Sequence, residues 1–193
     1  MQAHKGALLV LAMLLMLVVG GSALPFSGSP LINYGQRFYI YSDVWGSYCQ
    51  LYIPGGMYAI RCDVGLTTPQ EATKFYINGT GCGPVPSSAQ ITSSLVTDDG
   101  GAYCYVRQPA VNPGQFVSCE STYFSGYQFR FTNTVVQADG FLHGNATSVL
   151  ISNISNGANG GICSAQPMWQ DYGYVECNRP VASTWEMFNL VPA

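Results

Sequence analysis

Cationic side chains are scarce in this chain: seven Lys plus Arg and two His among 193 residues, against ten Asp plus Glu. Without a Lys/Arg cluster nothing is present to neutralise a run of phosphates, which excludes nucleic acid as a partner. No Cys-x-x-Cys occurs, and His143 is the one histidine beyond His4. Neither zinc ligation nor any metal or cofactor is therefore predicted. A Ser-His-Asp arrangement would have to be built on His143, which sits in the junction Gly140-Phe141-Leu142-His143-Gly144 and reads as a loop histidine. The adjacent carboxylates Asp98 and Asp99 precede Gly100-Gly101 and read as a turn rather than a glycosidase pair. The sequence predicts no catalytic residue and no enzyme.

Long apolar runs are missing as well, with one exception. Ala7 to Val19 is uncharged and apolar, Lys5 precedes it, and Gly21-Ser22-Ala23 supplies the small residues that a signal peptidase reads. The run is short for a hydrocarbon core of about 30 Å. Residues 1–23 are predicted to be a signal peptide, residues 24–35 a short lead, and the mature chain a secreted protein with no stable membrane insertion. Removing Lys5 from the seven basic residues leaves six against ten acidic ones, so the mature chain is mildly acidic.

What is present is a phrase written three times. The copies read Gly46-Ser47-Tyr48-Cys49 with Ile60-Arg61-Cys62, Gly101-Ala102-Tyr103-Cys104 with Val117-Ser118-Cys119, and Gly160-Gly161-Ile162-Cys163 with Val175-Glu176-Cys177. The first cysteines lie 55 and 59 residues apart, the second ones 57 and 58. A fixed period of this size marks internal repetition. Asp63, Glu120 or Asn178 follows each second cysteine, and an aromatic-x-apolar triplet closes each copy: Phe75-Tyr76-Ile77, Phe129-Arg130-Phe131 and Phe188-Asn189-Leu190. Alternating runs also precede each first cysteine, at Phe38 to Tyr41, Ile91 to Val96 and Val149 to Ile151. Each copy thus holds about four short strands and no helical period. Tyr34, Tyr48, Tyr103 and Phe116 are assigned to the core or barrel layers.

In an oxidising compartment such cysteines form a disulfide framework. Six cysteines permit several pairings; the repeat favours Cys49 with Cys62, Cys104 with Cys119 and Cys163 with Cys177, each bracketing a hairpin-sized segment. Closing such a loop stabilises by roughly 3 kcal/mol in the chain-entropy model. Cys82 is left unpaired and open to a homodimer bridge. Three sequons, at Asn78, Asn145 and Asn153, fit the same compartment and require exposure to carry glycans.

Repeats of under sixty residues would each build a marginal core alone, whereas three around one axis share one. The predicted fold is all-β: a single threefold-repeat β-trefoil with one disulfide inside each repeat, the repeats spanning about 36–88, 89–145 and 146–193. A β-prism or another threefold barrel is the alternative. The ending Trp185-Glu186-Met187-Phe188 resembles the terminal phrase of fascin-like trefoils, with Phe75 and Phe129 at the matching places. Those that bundle actin are cytosolic, and the signal peptide and cysteine pairs depart from them, so actin bundling is not carried over. A cysteine pair in each repeat also resembles ricin-type lectin trefoils. Their Gln-x-Trp phrase is missing, and Gln50, Tyr105 and Ser164 stand where their sugar-binding aspartate follows the first cysteine. Kunitz-type inhibitors share the size and address but not the opening phrase.

Sugars are held by flat rings against pyranose faces and by carboxylates or amides on hydroxyls. That combination occurs at Asp43-Val44-Trp45-Gly46, with Asp98 and Asp99 in the corresponding loop of the second copy, and again at Trp169, Asp171 and Tyr172. The candidate ligand-binding residues are therefore Asp43, Trp45, Asp98, Asp99, Trp169, Asp171 and Tyr172; the alternative is that these rings cover the barrel rim. Lectin-like recognition of a glycan or of a cell-surface or wall polysaccharide is the leading expectation. An extracellular coat or virion-surface protein, cross-linked through Cys82, is the second. A protease inhibitor or effector is the third, with Pro109 to Pro113 or Gly83 to Pro86 as its extended loop.

Overall fold

The computed structural model describes residues 28–53, 58–88, 90–107, 116–120, 128–145, 149–154, 161–165 and 173–193. The signal-peptide region, the segment from Trp169 to Tyr172 and the loop from Pro109 to Pro113 lie outside the described residues. Thirteen strands appear in chain order: β1 Arg37–Ser42, β2 Ser47–Tyr48, β3 Gln50–Tyr52, β4 Ala59–Arg61, β5 Lys74–Asn78, β6 Ser94–Thr97, β7 Tyr103–Arg107, β8 Phe116–Glu120, β9 Phe129–Asn133, β10 Val149–Asn153, β11 Ile162–Ser164, β12 Glu176–Arg179 and β13 Met187–Pro192. The helical elements among the described residues are short 3-10 turns, at Pro69–Glu71 and Thr184–Glu186.

Pairing proceeds β12-β11-β10-β13-β1-β5-β6-β7-β8, and β8 meets β12 again where Phe116 lies opposite Glu176. Nine strands thereby close into a barrel, which removes the exposed edges an open sheet would present. The aromatic-x-apolar triplets line its interior. In β5, β9 and β13 residues alternate between faces, so Phe75 and Ile77, Phe129 and Phe131, and Phe188 and Leu190 all point inward and are buried. Phe38 lies opposite Phe75, and Val149 opposite Phe188. Each such side chain contributes roughly 1.5–3 kcal/mol of transfer free energy.

The two ends of the barrel are built differently. At one, Ile32 N donates to Leu142 O (2.9 Å), Leu142 N to Val85 O (2.8 Å) and Val85 N to Ile32 O (2.8 Å). This is a closed cycle of three hydrogen bonds among buried residues. Ile32 belongs to the segment read as a lead, and it is buried in the core. Val85 is likewise sealed in, which corrects the assignment of Gly83 to Pro86 as a protruding inhibitory loop.

At the other end stand three hairpins, β3–β4, β7–β8 and β11–β12. The disulfides Cys49–Cys62, Cys104–Cys119 and Cys163–Cys177 staple them, with sequence separations of 13, 15 and 14. The hairpins join one another through Ala59 opposite Ser118, Glu176 opposite Phe116, and the bridge between Arg61 and Tyr174. Of the rings assigned to the core, Tyr34 packs against it and is half-buried. Tyr48, Tyr103 and Phe116 are half-buried at its margin. Tyr48 and Tyr103 adjoin the inward-pointing Cys49 and Cys104, and alternation turns them to the other face.

Candidate functional site

The turn after β1 carries Asp43 and Trp45. Gly46 N donates to Asp43 O, and Gly46 takes the left-handed φ of +59° that the turn needs. Asp43 is exposed, and its carboxylate accepts Asn189 Nδ2 at 2.7 Å from β13. Trp45 is turned the other way. It packs against the core, donates Nε1–H to Ala165 O at 2.6 Å, and meets Trp185 edge to face with centroids 5.9 Å apart. The indole, partly buried, therefore fastens the first hairpin region to the third.

The corresponding turn after β6 holds Asp98 and Asp99, both exposed, with Gly100 and Gly101 at positive φ. Asp98 accepts Arg37 Nε at 2.9 Å, and Asp99 uses its backbone carbonyl on Thr97 Oγ1. The two residues share one turn, and the Asp98 carboxylate is engaged by Arg37. Trp169, Asp171 and Tyr172 lie outside the described residues, between Ala165 and Gly173.

A different surface gathers on the hairpins. Residues on either side of a strand cysteine share the face opposite to it. In each hairpin the two neighbours of the second cysteine bond one another: Arg61 to Asp63 through two contacts of 2.7 and 2.6 Å, Ser118 Oγ to Glu120 at 3.4 Å, and Asn178 Nδ2 to Glu176 at 3.5 Å. Arg107 adds a 3.0 Å bond to Glu120. The Asp63 hydrogen bond holds the Arg61 guanidinium above its ordinary value. Burial by itself pushes the Asp63 carboxyl up, but the Arg61 hydrogen bond, the Gly173 backbone N–H and the Arg61 charge bring it below the ordinary value. Burial raises the Glu176 carboxyl, against the pull of Arg179 and Asn178.

Aromatic rings cross this face, one from each hairpin. Tyr52 of the first lies 6.5 Å from Tyr174 of the third, and Tyr174 lies 6.5 Å from Phe116 of the second. Arg61 stacks over Tyr52 at 4.6 Å and Tyr174 at 5.4 Å, a cation–π arrangement pinned by Asp63. Tyr52 is 37% exposed, and Ile53 and Tyr58 beside it are exposed too. Sequence reasoning noticed the acid or amide after each second cysteine but missed Tyr52, Arg61 and Tyr174. The available signal was the i, i+2 spacing of Arg61 and Asp63 around Cys62.

The remaining predicted residues fall elsewhere. Cys82 is exposed and unpaired. His143, read as a loop residue, is buried in the ring end, with Nδ1 facing Ser29 O at 3.2 Å and Nε2 facing the Asp139 carboxylate at 2.9 Å. Glu186 of the Trp-Glu-x-Phe phrase is also structural. Its carboxylate accepts from Ser183 N and Ser183 Oγ in a capping box on the last 3-10 turn. Among the described residues no group of three or more His, Cys, Asp or Glu could hold a metal ion. No described helix is long and apolar enough to cross a membrane.

The fold is shared with solved structures. The SDF2-like protein from Arabidopsis thaliana matches with a TM-score of 0.61 at 11% identity, over 84% of this chain and 95% of that one. A Bauhinia bauhinioides kallikrein inhibitor, solved in complex with human kallikrein 4, matches with 0.59 at 12%, over 84% and 92%. The chain has a β-trefoil-type fold. A further trefoil neighbour is botulinum neurotoxin type C, whose cell entry is dependent upon interaction with two ganglioside molecules; its TM-score is 0.52 at 13% identity, over 84% of this chain and 44% of the toxin chain. No family model and no curated protein matches the sequence. Identities this low establish the trefoil fold and carry no activity with them.

Proposed function

We propose that the chain is a secreted trefoil of three like repeats that binds carbohydrate on its hairpin face. The observation that carries this reading is the row of Tyr52, Tyr174 and Phe116, one ring per hairpin, with the Arg61–Asp63 pair set into it. Rings give pyranose faces an apolar platform, and a fixed guanidinium–carboxylate pair gives hydroxyls a donor and an acceptor. Scarce charge elsewhere suits a neutral, hydroxyl-rich ligand. Three disulfides support an oxidising, extracellular address. The three-membered ring and the three stapled hairpins support the threefold repeat. Ganglioside dependence in one neighbour agrees with the reading, while kallikrein binding in another keeps inhibition as the second one.

A glycan and polysaccharide array with the oxidised protein tests it, using Tyr52→Ala and Trp169→Ala beside the parent. Selective binding that Tyr52→Ala loses, with its melting temperature kept, is the expected result. Binding lost only in Trp169→Ala would move the site to the third hairpin's loop. A blank array from folded protein would overturn carbohydrate recognition and leave the structural and inhibitor readings.

A further inference from the structure

The three Asn-x-Ser/Thr sequons look alike in sequence and are set apart by the fold. Asn153 ends β10 opposite Phe129 and is 1% exposed. Its amide nitrogen lies inside the protein, where an attached sugar would have to displace the strands around it. Asn78 ends β5 opposite Ser94, is half-buried, and donates Nδ2–H to Tyr103 Oη at 3.3 Å. The next residue, Gly79, is so close to the Tyr34 ring that even a Cβ there would collide with it. Asn145 differs on each count. It is exposed, it has left its strand, and among the described non-glycine residues it is the one at positive φ, 62°, a conformation asparagine tolerates better than most residues. Its backbone N–H is tied to Leu190 O at 3.0 Å, while no strand pairing constrains its side chain.

From this we infer that Asn145 is the N-glycosylation site of the folded protein, and that Asn78 and Asn153 stay bare. In the transfer, Asn145 Nδ2 forms a bond to the anomeric carbon of an oligosaccharide carried on a polyprenyl pyrophosphate. The bond from that carbon to the pyrophosphate oxygen breaks, the lipid pyrophosphate leaves with the bonding electrons, and Nδ2 loses one proton. No oxidant or reductant is involved. The secretory pathway's transferase supplies the donor and the catalysis, and the fold decides which glycoform survives. A chain modified at Asn153 cannot bury that residue, so it fails to close β10 into the barrel.

The position also has an orientation. Asn145 follows the ring segment containing Leu142, where Gly144 N donates to Pro30 O. β10 then leads from Val149 to Asn153 toward the β11–β12 hairpin, and its four rises of about 3.3 Å carry the chain roughly 13 Å along the strand. The glycan therefore stands at the ring end and leaves the aromatic row on the hairpins uncovered.

The inference shares with the proposed function only the secretory address, and its test does not use ligand binding. The full chain is secreted from a eukaryotic host that glycosylates, and intact mass and peptide mapping are recorded before and after peptide-N-glycosidase. Asn145→Gln and Thr147→Ala, the second of which keeps the asparagine in place, are expected to remove the single glycan. Asn78→Gln and Asn153→Gln are expected to leave the glycan mass unchanged in whatever protein they secrete. Folded, secreted parent protein that carries a glycan on Asn78 or Asn153, or none at all, overturns the inference whatever the array reports.

Discussion

At the ring end, Ile32, Val85 and Leu142 pass three backbone hydrogen bonds around a cycle, and all three side chains are buried and apolar. At the hairpin end, the two residues flanking the second cysteine of each hairpin are Arg61 with Asp63, Ser118 with Glu120, and Glu176 with Asn178. The difference lies in what does the joining. Where backbone groups close the ring, each side chain has to fill the space behind it, and only an apolar residue fits. Where a disulfide fixes each hairpin, the neighbours of the cysteine that face away from the core are polar, differ in charge and size between hairpins, and satisfy one another by hydrogen bonds. Recognition is accordingly sought at the hairpins, and stability is expected to depend most on the ring.

The sharpest way to break that comparison is Leu142→Ala. It removes a fully buried side chain from the ring and from the core around Ile32 and Val85, and a loss of about 2–5 kcal/mol is expected. At the hairpin end, Ser118→Ala deletes one 3.4 Å hydrogen bond and should cost about 1 kcal/mol. Urea unfolding of both variants reads the two values on one scale. If Ser118→Ala proves the costlier, the ring is not the stability-determining end.

The hairpin end was the legible one. Cysteine is rare and its spacing repeats, so the three pairings could be read from the phrase, and the closing Phe75, Phe129 and Phe188 revealed strands by alternation. The ring was not legible, because Leu31-Ile32-Asn33, Pro84-Val85-Pro86 and Phe141-Leu142-His143 share no residue type at most positions. Their likeness is in backbone hydrogen bonding, which sequence does not display. Among site residues, Trp45 shows what composition leaves out: aromatic-plus-acid composition is the same for an exposed platform and for a partly buried indole bonded to Ala165 O. Arg61 was passed over because its two tyrosines come from different hairpins, Tyr52 and Tyr174, and only folding brings them together.

Within the hairpin end, the three corresponding pairs sharpen the comparison further. Asp63→Ala leaves the Arg61 guanidinium, whose side chain is 13% exposed, without its bidentate partner. Breaking a fully buried pair costs about 3–5 kcal/mol, and the residual exposure here brings the expectation to about 2 kcal/mol. The matching change at the second hairpin, Glu120→Ala, removes a partner from Arg107 at 42% exposure and should cost no more than about 1 kcal/mol. Equal losses in thermal unfolding would show that charge pairing does not distinguish the hairpins.

The smallest effect concerns the sign of pH dependence at Asp63 and Glu176. The Asp63 carboxyl titrates below its ordinary value in the fold, so its contribution is present above the unfolded value and is lost as pH falls through the folded one. Glu176 behaves in the opposite way. Burial raises its carboxyl above the ordinary 4.5, so the folded chain holds the proton more tightly than the unfolded chain does. Stability from this group is full below 4.5 and is lost as pH rises through the raised value. Glu176→Gln keeps the shape and removes the charge, so the variant should equal or exceed the parent by up to about 1 kcal/mol at pH 7. That advantage should shrink as pH falls toward 4.5, because the parent's carboxyl then becomes neutral too. Denaturation midpoints of the pair, taken from pH 7 down to pH 4, measure the difference directly. A difference that stays constant across that range would mean that Glu176 is solvated in the fold, and the third hairpin would then resemble the second instead of contrasting with the first.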